Sequence, residues 1–296
     1  MSSNSKTATE AVLSRFSDRT FLWFWSYPNL YTDRKLSKNG EGKEFCDHAV
    51  FFGNDILIFS DKNIFFDESK DIQLSWSRWY KRSVEESAKQ IIGAENWIKK
   101  HPDRVFTDKQ CQIKLPLDLN VERATIHRIV TVNGISDGIR KFKKTGIPSL
   151  IINGSIGISG KSSPFVASQP LENGPYFHIL DESALTLIFD ELDTPADFIS
   201  YLKFREKLLD NKNCIVCANG EDDLLYVFKT NPSFLPPAYA SALMIPAGLW
   251  STFTESKEYR FKKEADRRSY VWDRLIQHFA SSFLAKHNPS AFAPGR

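Results

Sequence analysis

A mixed α/β fold, with an early sheet flanked by helices and a mixed C-terminal region, is what the order of patterns along this chain predicts. Two apolar runs, 49–52 and 56–59, flank Gly53-Asn54-Asp55, a turn sequence suited to a tight hairpin. Helical periodicity then takes over from 74 to 100. There Trp76, Tyr80, Val84, Ala88 and Ile91 or Ile92 recur as one stripe, and Lys81, Arg82, Glu85, Glu86 and Lys89 occupy the remaining face. Beyond that helix, strand-like and helix-like segments alternate.

Taken in order, residues 9–25 read as a helix with Val12, Leu13, Phe16 and Phe21 on its buried side, and Pro28 forces an extended exit. The polar, glycine-spotted stretch 36–44 reads as a loop or short turn, and Ile64, Phe65 and Phe66 as a third short strand after the hairpin. His101-Pro102-Asp103 stops the long helix. Strand patterns follow at 105–106, 112–115, 125–133, 149–152 and 177–180, and helices at 183–190 and 198–209. Thr194-Pro195 suits the start of the latter, a threonine cap followed by proline. A strand at 214–218 and a short helix at 221–228 lead into a stretch punctuated by Pro232, Pro236, Pro237 and Pro246. A last helix over 256–285 carries Trp272, Ile276, Phe279 and Phe283 as its apolar stripe. The expected division is a first unit over 1–110 and an α+β region of unknown role over 111–296.

Composition narrows the function classes. Hydrophobic residues make up 42% and aromatic residues 13% of the 296 positions, which marks a folded chain rather than a disordered one. The 39 basic side chains exceed the 36 acidic ones by only three, so overall charge does not announce a nucleic-acid partner, although local patches steer ligands better than net charge does. The first nine residues are polar and lack the apolar core of a signal peptide, and no later run is long and apolar enough to span a bilayer. A cytoplasmic location with no membrane partner is therefore expected. Four cysteines do not make a disulfide framework. Cys46 and Cys111 read as buried thiols, and the lone Cys214-Ile215-Val216-Cys217 as core packing, since no second pair completes a zinc site.

The segment around the hairpin concentrates the chemistry. Glu44 and Asp47 precede the first strand, and Ser60-Asp61-Lys62 ends the second. With the turn centred between Gly53 and Asn54, Asp47 lies opposite Ser60, and Asp47, Ser60 and Lys62 share one side of the sheet while Asp61 takes the other. Centring on Asn54 instead sets Asp47 opposite Asp61. A bulge near the turn would let Asp61 and Lys62 share a site.

These residues, with Gln90 on the following helix, give residues 36–100 a resemblance to the PD-(D/E)XK nuclease superfamily, and in particular to the small nuclease-related domains of bacterial proteins. The resemblance implies a restriction-endonuclease-like sheet and metal-dependent hydrolysis of phosphodiester bonds, with DNA the expected partner and Mg2+ or Mn2+ the expected cofactor. It implies Lys62, Asp47, Glu44 and Gln90 as the catalytic set and Asp47, Asp61 and Glu44 as metal ligands. Such nucleases carry an acid two residues before the lysine, where this chain has Ser60. Either Asp61 supplies the second ligand from a bulged strand, or the ligand and the catalysis are lost. The alternative is therefore a noncatalytic interaction or nucleic-acid-binding protein on a degenerate nuclease scaffold, with a protein as its other candidate partner. Phosphate attraction would come from Lys35, Lys38, Lys43, Arg78, Lys81, Arg82 and Lys89.

Other motifs read as structural. The loop Gly154-Ser155-Ile156-Gly157-Ile158-Ser159-Gly160-Lys161-Ser162 ends in GKS but lacks the glycine spacing of a phosphate loop. His127 lies in an apolar strand and shares no ligand spacing with His48, His101, His178, His278 or His287. Glu221-Asp222-Asp223 reads as a surface helix start.

Overall fold

The computed structural model describes residues 20, 25–117, 119–143, 146–154, 160–171, 173–266, 275, 278 and 279. Most of the expected helix over 9–25, and much of the C-terminal helix over 256–285, lie outside the described residues.

The architecture is mixed α/β with an early multi-strand sheet between helical layers. Strands β1 (Ser26–Thr32), β2 (Lys43–Phe52) and β3 (Asp55–Asn63) form an antiparallel meander, interrupted between β1 and β2 by a short helix, α1 (Leu36–Asn39). Helices α2 (Ile72–Tyr80) and α3 (Glu86–Lys100), joined by a π-helical turn over Lys81–Glu85, carry the chain across to β4 (Thr125–Asn133), parallel to β3. After α4 (Ser136–Phe142), the short strands β5 (Ile151–Asn153) and β6 (Val166–Ala167) begin a second sheet. The strand β7 (His178–Asp181) then returns to pair in parallel with β4. Helices α5 (Glu182–Glu191) and α6 (Pro195–Leu209), strand β8 (Ile215–Ala218), helix α7 (Glu221–Thr230), strand β9 (Ala242–Ile245) and helix α8 (Leu249–Thr254) follow. The larger sheet runs β1-β2-β3-β4-β7 and the smaller β6-β5-β8-β9. The larger one takes β1, β2 and β3 from residues 1–110 and β4 and β7 from the rest of the chain.

Both faces of the larger sheet are covered, which is why β3 reads as an unbroken apolar run. Ala49, Ile56, Ile58, Val130 and Val132 pack against the stripe Trp76, Tyr80, Val84, Ala88 and Ile91 of the α2–α3 layer, all of it at most 1% exposed. Val50, Leu57, Phe59, Ile129 and Leu180 face the other way, onto Ile188 and Phe189 of α5 and Phe198, Tyr201 and Leu202 of α6.

Several elements differ from the sequence expectation for identifiable reasons. The third strand of the meander is β1, not 64–66. Pro28 is compatible with β1 because that strand lies at the sheet edge, where a missing N–H costs no ladder bond. Residues 64–66 instead bond along the end of β4, with Phe66 N–H donating to Gly134 O at 3.0 Å. A side chain at Gly134, whose φ is 82°, would meet Ile64 O at 2.9 Å, so the glycine permits this close approach. Residues 105–106 and 112–115 contribute isolated bridges only, from Phe106 to Tyr31 and Lys114. The proline-rich stretch holds an unexpected strand, β9. Thr125–Asn133 forms a strand over its whole expected length, and Thr194 caps α6 by accepting from Asp197 N–H at 3.1 Å.

Candidate functional site

Two polar clusters lie on opposite faces of the larger sheet. The first grows out of the β2–β3 hairpin, whose two-residue turn has Gly53 at φ 58° and whose ladder pairs Ala49 with Ile58 and His48 with Phe59. That register is the one expected for a turn centred between Gly53 and Asn54. Just past His48, the Asp47 carboxylate accepts the Asp61 N–H at 2.5 Å, a side chain supplying the next acceptor.

Alternation along β3 then sorts the remaining groups. Ser60 and Lys62 follow Ile56 and Ile58 onto the α3 face, where both donate to Gln90 Oε1, at 3.1 Å from Ser60 Oγ and 3.2 Å from Lys62 Nζ. Asp61 turns to the opposite face, where its Oδ1 accepts from Thr131 Oγ1 at 2.6 Å and Asn133 Nδ2 at 2.8 Å. Glu44 is exposed near the start of β2, opposite Tyr31. The structure thus brings together Ser60, Lys62 and Gln90, with the largely buried Asp47 beside them. It does not gather Glu44, Asp47 and Asp61 into a trio of ligand atoms within 4.8 Å of one another. A Mg2+ ion favours an octahedral set of hard oxygens, and Ser60 offers only a neutral hydroxyl already engaged with Gln90. The three expected metal ligands are not arranged to fit that ion as a set.

The second cluster is the group of metal-capable side chains found among the described residues: His127 on β4, His178 on β7 and Glu206 on α6, whose ligand atoms all lie within 4.8 Å of one another. Register explains the histidine pair, because β4 and β7 are parallel neighbours with Ile129 opposite His178, and His127 lies two residues before Ile129 on the same face. Both histidines are 1% exposed. His127 Nε2 lies 2.8 Å from Asp55 Oδ1, and Lys203 Nζ lies 2.8 Å from the same oxygen. Among the described residues, His127 Nδ1 and both ring nitrogens of His178 have no hydrogen-bond partner. Burial lowers the pKa of His127 and takes that of His178 well below the usual histidine value, aided in His178 by the nearby Arg205 guanidinium. Burial raises the Glu206 carboxyl, and Arg128 opposes the shift.

No protein-family model, curated protein or solved structure matches the chain. Among the described residues, no helix is long and apolar enough to cross a membrane.

The histidine cluster was not foreseen, because its ligands come from three elements with no shared spacing. The one available signal was a histidine at an inward position in each of two strand patterns, and it becomes a pair only once β4 and β7 are known to be neighbours. The acidic run at α7 also differs from expectation. Glu221, Asp222 and Asp223 are at most 3% exposed. Glu221 holds the buried Arg205 at 2.9 and 3.2 Å and accepts from Tyr201 Oη, while Asp223 accepts the Leu249 N–H at the start of α8. Cys214 and Cys217 are free thiols. Lys161, in the GKS sequence, pairs with Glu85 at 2.6 Å, and residues 155–159 of that loop lie outside the described residues.

Proposed function

We propose that the larger sheet is a restriction-endonuclease-like core that binds a nucleic-acid phosphodiester without hydrolysing it, through Lys62 and Gln90. The observation that carries this reading is that Ser60 and Lys62 converge on one oxygen of Gln90 while the Asp61 carboxylate faces the other side of the sheet. The meander β1–β2–β3 followed by a helical crossover to a parallel β4 supports the nuclease-like core. The second acid of the metal pair is replaced on the working face by a hydroxyl. Lys62 is half-buried and supplies an ammonium for a phosphate oxygen, and the NH2 group of Gln90 supplies a second donor. Arg78, Lys81, Arg82 and Lys89 are exposed on the helical layer that carries Gln90, where they would add attraction to the backbone.

A second reading, metal-dependent hydrolysis, is favoured by one observation: Asp47 keeps a carboxylate at the Lys62 end of the hairpin. One experiment separates the two. The protein, Lys62→Ala and Asp47→Ala are each incubated with single- and double-stranded DNA and RNA, with Mg2+ or Mn2+, and both binding and cleavage are followed. Binding that Lys62→Ala weakens at least tenfold, with no cleavage by any protein, supports the proposal. Cleavage abolished by Asp47→Ala supports hydrolysis instead, and binding unaffected by Lys62→Ala with no cleavage by any protein sinks both.

A further inference from the structure

We infer that His127, His178 and Glu206 bind one first-row transition-metal dication, best matched by Zn2+, that fastens α6 to the central sheet. The ligand atoms of the three side chains are within 4.8 Å of one another. In a tetrahedral zinc site with bonds of about 2.1 Å, neighbouring ligands are about 3.4 Å apart, so side-chain shifts of about an ångström close the set.

Three further observations point to a ligand. His127 Nδ1 and both nitrogens of His178 are buried without a hydrogen-bond partner among the described residues, although each is a strong polar group. The Asp55 carboxylate accepts from His127 Nε2, which fixes the proton on that nitrogen and leaves the Nδ1 lone pair for a metal. Lys203, one helical turn before Glu206 on α6, holds both oxygens of Asp55, so the helix that brings the acid also steadies this contact. The donor set decides the class of ion: two imidazoles and one carboxylate suit zinc and its neighbours, whereas Mg2+ and Ca2+ take oxygen ligands. Nearby positive charge does not oppose a dication strongly. Arg128 is paired with Glu95 at 2.5 Å and Arg205 with Glu221 at 2.9 Å. Glu206 is only partly buried and gives the site its approach from solvent.

The test uses the full chain, stripped with a chelator and then titrated with Zn2+ alone against a chromophoric competitor. The expected result is one Zn2+ per chain, with a thermal midpoint that rises on adding the ion. Glu206→Gln should bind at least tenfold more weakly and His178→Phe not measurably. Asp55→Asn, which alters a positioning residue, should weaken binding on the order of tenfold. Lys62→Ala should bind as the unaltered protein does, so failure of the phosphodiester proposal and failure of this one are told apart. Circular dichroism checks each fold. If His178→Phe does not fold, Glu206→Gln, at a partly buried position, decides alone. No binding by the unaltered protein, or unchanged affinity in Glu206→Gln, overturns the inference.

Discussion

The two polar clusters on opposite faces of the central sheet treat their groups in opposite ways. Toward α3, the hydroxyl of Ser60 and the ammonium of Lys62 share one acceptor on Gln90, and Asp47 takes the Asp61 N–H. Toward α6, three ring nitrogens of His127 and His178 are buried beside Glu206 without partners among the described residues. A buried donor or acceptor left unpaired costs about 1–3 kcal/mol, so this second arrangement is not explained by stability. The hairpin cluster is internally satisfied and needs no ligand to hold its shape. The histidine cluster is not, and that difference makes it the stronger metal candidate.

The comparison can be broken first at Arg205, which anchors the α6 side without belonging to the histidine cluster. Its guanidinium is buried and bonded to both oxygens of Glu221, to Tyr176 Oη at 2.8 Å and to Ile179 O. Arg205→Ala leaves Glu221 charged and uncompensated in the core, a loss of about 3–5 kcal/mol. Denaturant unfolding should show it as a large fall in midpoint. A loss below about 1 kcal/mol would mean that the pair is solvated and that the α6 face is looser than its burial indicates.

Next in size is a pH effect carried by the histidine face and opposed in part by the buried Asp181 carboxyl, which burial pushes up to about 6. Both histidines have folded pKa values below the ordinary 6.5. As pH falls below 6.5, the unfolded chain takes up protons that the folded one refuses, and the metal-free protein loses stability. The slope is at most about 1.4 kcal/mol per pH unit for each histidine, and it fades once the folded pKa is reached. Unfolding midpoints measured between pH 5 and 7.5 should fall toward acid, and His178→Phe should remove its share of the slope. An unchanged slope in that variant would show that His178 titrates normally.

The same contrast explains what was legible in the sequence. The hairpin was, because its chemistry lies in one local segment. Turn residues narrowed the register to a few settings, and in the one adopted, period-two alternation puts Ser60 and Lys62 on one face and Asp61 on the other. The long helix was legible from its apolar stripe, though the π-helical turn at Lys81–Glu85 left no signal in that pattern. The histidine cluster depends on the parallel pairing of β4 with β7, made across β5 and β6 of another sheet, and local periodicity carries no trace of that. Burial of Glu221, Asp222 and Asp223 was hidden for a related reason: acids are buried when partners such as Arg205 arrive from another element.

On the hairpin face, Gln90→Ala tests whether the cluster is satisfied by that one residue. It leaves the fully buried Ser60 hydroxyl without this acceptor and frees Lys62, a loss of about 1–3 kcal/mol. The corresponding loss for Ser60→Ala should be smaller, since it removes the buried hydroxyl along with its need for a partner. Equal losses would show that Gln90 acts through packing rather than through its oxygen.

The smallest effect belongs to Glu44. It is exposed near the start of β2, and exposed substitutions away from packed features change stability by at most about 0.5 kcal/mol. Glu44→Ala should therefore unfold with the unaltered protein and, having lost a negative charge, should bind nucleic acid at least as well. The resemblance to nucleases gives Glu44 an assisting role, which makes this quiet position informative. A tenfold loss of nucleic-acid binding, or loss of metal-dependent cleavage, on removing its carboxylate would draw Glu44 into the Asp47–Lys62 cluster. The hairpin face would then be an oxygen-ligand metal site needing its own cation, and the contrast with the histidine face would become one between hard and borderline ions.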